Sequence, residues 1–147
     1  MKGMDLAREL FDFIHAVTLG LETVLLPSLE AHGLTMIQSR LLIEIYINKK
    51  TTVGSLCSRI GSSSGNASTA CKKLEKKGYI KRTRDSLDER VVNIELTELG
   101  IKTLHMIDQE LQEKYGPTLS GTTADDFNDL IVCMKKMKGF LVKFGSN

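Results

Sequence analysis

A mainly α-helical chain with one small β-hairpin is the fold this 147-residue sequence predicts. Three observations predict it. Apolar residues recur at steps of three and four over most of the chain, and between residues 80 and 96 they switch to strict alternation. Helix start and stop signals (Thr or Ser, then Gly) punctuate the segments at short intervals. The length is that of one domain with a substantial buried core.

The first helix carries Leu6, Leu10, Phe13, Ile14, Val17, Leu21 and Val24 on one stripe, with Asp5 as its expected cap. Pro27 kinks or interrupts it, because proline has no N–H to donate, and Gly33 ends what remains. Thr35-Met36-Ile37-Gln38 has the form of a capping box and opens a second helix through Ile37, Leu41 and Ile45. Thr51 or Thr52 caps a short third helix with Val53, Leu56, Cys57 and Ile60 inward, stopped by Gly61. A fourth begins at Ser63 or Ser64 and runs to Lys77, with Gly78 in the stop position.

Ile80 to Asp85 then reads as a basic strand, Ser86 to Glu89 as a polar tip, and Arg90 to Leu96 as the returning strand. Thr97 caps a fifth helix through Leu104, Ile107, Leu111 and Tyr115, which Gly116-Pro117 is expected to break. After a loop at Ser120 to Thr123, a last helix starts near Ala124. Its apolar face (Phe127, Leu130, Ile131, Met134, Met137, Phe140, Leu141 and Phe144) is too wide for a small domain to cover unaided. Two short helices joined through a glycine turn and followed by a basic hairpin make a winged helix-turn-helix.

Several classes are disfavoured. No apolar run approaches the roughly 20 residues of a membrane span, and Met1 to Glu9 has no signal pattern, so a cytoplasmic protein is expected. Cys57, Cys71 and Cys133 are odd in number and lie in apolar-periodic segments, as reduced core residues would. His15, His32 and His105 are far apart, with no nucleophile–base pair, glycine loop, CxxC or HxxxH beside them. An enzyme, a metal site and a cofactor are therefore not expected.

Charge is concentrated. Lys72, Lys73, Lys76, Lys77, Lys81, Arg82 and Arg84 fall in thirteen residues against one acid, Glu75, a net +6 in a chain whose total is +2. That is the footprint of a polyanion-binding surface. At 100° per residue, Ala67, Ala70, Cys71 and Leu74 of the fourth helix face the third. Gly65, Thr69, Lys72 and Lys76 face away, with Asn66, Ser68 and Lys73 at the edges. Small polar groups toward the N-terminus suit base edges in a major groove, and lysines beyond them suit phosphates. Ser62, Ser63 and Ser64 are candidates to hold a phosphate at the helix start. In the hairpin, Arg82, Arg84 and Arg90 flank the tip, where an arginine can enter a narrow minor groove. Asp88 is expected to fix the Arg90 guanidinium through a charge-assisted bond.

Leu74-Glu75-Lys76-Lys77-Gly78-Tyr79-Ile80, then Asp88-Glu89-Arg90, then Leu96-Thr97-Glu98-Leu99-Gly100 resemble the signature of MarR-type winged-helix regulators. Thr69 stands where many members carry a basic residue. The resemblance implies a homodimer held by intertwined N- and C-terminal helices, with the fourth helix in the major groove and Arg90 in the minor groove. It also implies a small aromatic or anionic effector bound between the dimer and DNA-binding regions. On this reading residues 1–147 form one domain, with a helical dimerisation region at 1–33 and 101–147 and the DNA-binding region at 34–100. His15, Arg40 and Tyr46 are polar or amphipathic residues in otherwise apolar helices and are the effector candidates. The expected function is a sequence-specific double-stranded DNA-binding transcriptional regulator, a ligand-responsive repressor on a pseudo-palindromic operator. The alternative is a winged-helix protein-interaction module that never touches DNA.

Overall fold

The structure, a computed structural model, describes residues 2–61, 64–86, 88 and 90–144. The elements run α1 (Lys2–Val24), α2 (Leu26–Ala31), α3 (Met36–Asn48), β1 (Lys50–Thr52), α4 (Val53–Ile60), α5 (Ser64–Lys76), β2 (Ile80–Arg84), β3 (Val92–Leu96), α6 (Glu98–Leu119) and α7 (Ala124–Phe144). The chain divides into two compact units, residues 1–112 and 113–147.

The helix boundaries follow local chemistry. Thr35 and Gln38 form the reciprocal capping box, each side chain accepting the other's backbone N–H at 3.3 and 3.2 Å. The Thr52 hydroxyl accepts from Ser55 N–H to start α4, and Gly61, in the left-handed region, ends it. Gly33 and Gly78 likewise have positive φ, and the amide after each reaches back five residues, Leu34 to Leu29 O and Tyr79 to Leu74 O. In the second unit, Thr123 and Asp126 cap α7 reciprocally, and the bonds from Thr123 hold the Asp126 carboxyl below its usual range.

In the first unit, Leu41, Leu42 and Ile45 of α3 meet Leu56, Cys71, Leu74, Ile80 and Ile94 in one buried cluster. β3 is the central strand of an antiparallel sheet ordered β1-β3-β2, with Thr51 and Arg82 both opposite Ile94. β1 was not foreseen, because three residues hold no readable alternation. It exists because the second edge of β3 would otherwise lack partners. Lys49, at φ 59°, makes the tight turn that brings it there.

Four other expectations need correction. α1 starts at Lys2, so Asp5 lies in its first turn, where a carboxylate still favours the helix dipole, and is not the cap. α6 continues through Gly116-Pro117 to Leu119, because a proline this near the end removes one backbone bond and its φ is already helical. Among the cysteines, Cys71 is buried and Cys57 half-buried, but Cys133 is exposed, because the apolar face of α7 is itself uncovered in the chain. Gly3–Ala31, spanning α1 and α2, is long and apolar enough to cross a membrane by length and composition. Uninterrupted apolar runs do not reveal this, since a helix tolerates an occasional acid such as Glu22 among apolar neighbours.

Candidate nucleic-acid interface

α5 is divided lengthwise as its sequence requires. Ala67, Ala70, Cys71 and Leu74 are buried, which fixes the helix against the core. Gly65, Asn66, Thr69, Lys72, Lys73 and Lys76 are exposed or partly exposed, and Ser68 lies at the edge of this face. Ser62 and Ser63 lie outside the described residues, and Ser64 is described only as the first residue of α5. Between the start of α3 and α5 lies a groove of about 380 Å³, lined by Thr35, Ile37, Gln38, Asn66, Thr69, Ala70 and Lys73.

Part of the basic stretch is tied down within the chain. Lys77 Nζ donates to Gly33 O and lies 3.5 Å from Gln38 Oε1, joining the end of α5 to the start of α3. Lys81 bonds Glu95 across the strands at 3.0 Å and holds that carboxyl below its usual range. Arg82 is half-buried beside Glu75, at 3.6 Å. Lys77, Lys81 and Arg82 thus have partners within the chain, while the side chains of Lys72, Lys73, Lys76 and Arg84 are exposed. The Lys81–Glu95 pair is legible once the hairpin register is known. The Lys77 bond joins residues 44 apart and leaves no sequence signal.

At the wing, Arg84 and Arg90 are exposed. Asp88 Oδ1 accepts from the Arg90 backbone N–H at 3.0 Å, and Asp88 O from Val91 N–H at 2.9 Å. The carboxylate therefore shapes the main-chain turn that presents Arg90 and does not grip its guanidinium, because a two-residue spacing brings the side chain to the backbone amide first. Asn93 Nδ2 donates to Asp85 Oδ2 at 3.0 Å and braces the base of the hairpin. A groove of about 460 Å³ opens there, bounded by Thr52, Val53, Gly54, Ser68, Arg82, Arg90, Val91 and Val92. Sequence reasoning did not bring Thr52 and Gly54 to this place.

The three effector candidates are not assembled into one site. His15 is exposed on α1. Arg40 lies 2.8 Å from Glu44, one turn along α3, so its charge is already paired. Tyr46 lines a mostly apolar groove of about 420 Å³ with Leu25, Leu29, Ile43, Leu104, His105 and Leu111. Its hydroxyl is 3.2 Å from His105 Nε2, and the two rings stand edge to face, 5.8 Å apart at 82°. His105 was missed as a partner because 59 residues separate the two. Nearby, His32 Nε2 lies 3.0 Å from Glu110 Oε1, joining the end of α2 to α6.

Comparison with known proteins agrees with this architecture. A family model described as transcriptional regulator SarA/Rot matches residues 23–107. The HTH-type transcriptional regulator SarZ of Staphylococcus haemolyticus is 38% identical over 90 residues, which are 59% of this chain and 61% of that protein. SarZ of Staphylococcus aureus is 39% identical over 72 residues, 49% of each chain. The chain thus spans about two-fifths to three-fifths of the length of the curated relatives it matches. Among solved structures, reduced AbfR bound to DNA superposes with a TM-score of 0.79 at 20% identity, covering 98% of this chain and 97% of that one. A cysteine-to-serine mutant of MarR from E. coli, complexed with operator DNA, gives 0.73 at 24% identity, covering 88% and 93%. The fold is the winged helix-turn-helix of these proteins.

Proposed function

This chain belongs to the transcriptional regulator SarA/Rot family, and from that premise we propose that it binds double-stranded DNA and regulates transcription. α5 enters the major groove and Arg90 of the wing the adjacent minor groove, with residues 34–100 as the reading head. The observation that carries this reading is the two-sided character of α5. One face is buried in the core, while the other offers Asn66 and Thr69 and then Lys72, Lys73 and Lys76 to solvent. That order matches base edges first and phosphates after. SarZ relatives named as HTH-type transcriptional regulators, and a MarR structure with operator DNA, support it.

The chain acts as a homodimer in this reading. Leu6, Phe13, Ile14, Val17 and Leu21 of α1, and Phe127, Leu130, Ile131, Met134, Phe140 and Leu141 of α7, are exposed apolar residues in such number that a second copy is their natural cover. Repression follows from occupancy of a promoter. Mobility shift on the promoter duplex adjoining the coding sequence tests the whole reading. A dimer is expected to bind it more tightly than a random duplex of equal length. A folded dimer that binds neither duplex at low salt would leave a protein-interaction module in its place.

The groove at Tyr46 favours one addition, a small aromatic effector. The expected result is a raised melting temperature and weaker DNA binding with such a compound, both lost in Tyr46→Ala. Unchanged melting across a panel of aromatic acids and amines argues against it.

A further inference from the structure

Among the residues from Lys72 to Arg84, the single acid, Glu75, holds one of the cations, and holds it badly. Arg82 Nη1 stands 3.6 Å from Glu75 Oε2, beyond hydrogen-bond distance. Arg82 Nε is buried with no hydrogen-bond partner among the described residues. A guanidinium presents its donors in a rigid planar fork that is best met by two parallel bonds to a carboxylate or phosphate. A long ion pair with a buried donor left over is an arrangement that a better acceptor displaces. The Arg82 side chain, one-fifth exposed, also borders the groove at the base of the wing, with Arg90, Ser68, Thr52 and Gly54. Among the described residues that lining holds two arginines and two hydroxyls and no carboxylate, so its chemistry favours an anion.

We propose that Arg82 is a phosphate ligand held in reserve, which a DNA backbone phosphate seated in this groove beside Arg90 draws away from Glu75. Glu75 thereby sets the affinity by competing with DNA for Arg82. The inference rests on the DNA-binding reading above and adds to it one phosphate position and one affinity-setting acid.

A double-mutant cycle measured by duplex titration at several salt concentrations tests it. Glu75→Gln is expected to tighten binding by about three- to tenfold, the range of one ordinary net hydrogen bond. Arg82→Gln is expected to weaken binding and to flatten the slope of log affinity against log salt by about 0.9 for each phosphate that is no longer neutralised. In the Arg82→Gln background, Glu75→Gln should change nothing. An equal gain in both backgrounds means that Glu75 merely repels phosphates, and weaker binding by Glu75→Gln means that the pair is only a brace; either overturns the proposal. Because Arg82 variants can disturb folding, the wild-type protein supplies an independent readout. The Arg82 Nε–Hε resonance, assigned by its absence from Arg82→Lys, should shift on saturation with duplex, and an unmoved resonance overturns the proposal. A wild-type dimer that binds no duplex at any salt overturns both readings, whereas tight wild-type binding with an additive cycle overturns this one alone.

Discussion

At position 100 an added Cβ would stand 2.2 Å from the Tyr79 carbonyl oxygen and 3.1 Å from its carbon. That oxygen cannot retreat freely, since it accepts the Thr97 N–H at 3.1 Å, while the Thr97 hydroxyl donates to Gly78 O and accepts from Gly100 N–H. The Leu-Thr-Glu-Leu-Gly block is thus a clasp that seats the start of α6 on the turn after α5. Gly100→Ala is expected to destabilise by about 2–3 kcal/mol, through overpacking against backbone. Gly116→Ala, with nothing within 4 Å, should stabilise by up to about 1 kcal/mol. Urea unfolding of both variants checks the contrast, and equal midpoints would remove the clasp. Cys71 gives a second test. Burial pushes its thiol from 9.0 up to about 11, against the pull of the Arg82 charge. A folded value above the unfolded one means that this contribution to stability is complete below pH 9 and is lost as pH rises through about 11. Iodoacetamide at pH 8 should label Cys133 first and Cys71 only on unfolding. Labelling of Cys71 in the native state would contradict the packing of α5.

Elements divide the work of the interface. The exposed lysines of α5 are expected to meet phosphates, so Lys72→Ala should weaken binding to every duplex about equally. It should also flatten the salt slope by roughly 0.9 per phosphate, and by about twice that in a dimer. The wing differs, because insertion of an arginine depends on groove width. Arg90→Ala should cost affinity mainly on the preferred promoter and narrow its advantage over random duplex. Asp88→Ala should do the same more weakly, for a structural reason: it releases the turn in which the Arg90 amide is held at 3.0 Å. Parallel titrations on the two duplexes separate these outcomes, and Arg90→Ala at wild-type affinity on the promoter would leave α5 as the sole reader.

On the scale of the whole molecule, the proposed homodimer covers the exposed apolar residues of α1 and α7. An obligate interface of the size they suggest, above about 2,000 Å², dominates the stability of such a dimer. Sedimentation is expected to give a two-chain species, and deletion of Met134 to Asn147 is expected to unfold or aggregate the chain. A well-folded monomer in either case would sink the dimer.

The sequence by itself determined the order of the helices, the hairpin, the caps at Thr35 and Thr97, and the buried and exposed faces of α5. Each of these rests on residues within a few positions of one another, where periodicity and capping chemistry act. Tertiary structure alone decided the rest. β1 formed because a strand more than forty residues later had an open edge. Lys77 and Lys81 left the common pool of positive charge because acceptors on other elements reached them first. Tyr46 found His105, 59 residues away on another helix. A count of charges along the chain does not see partners across space, and it is packing that fixes which cations stay exposed.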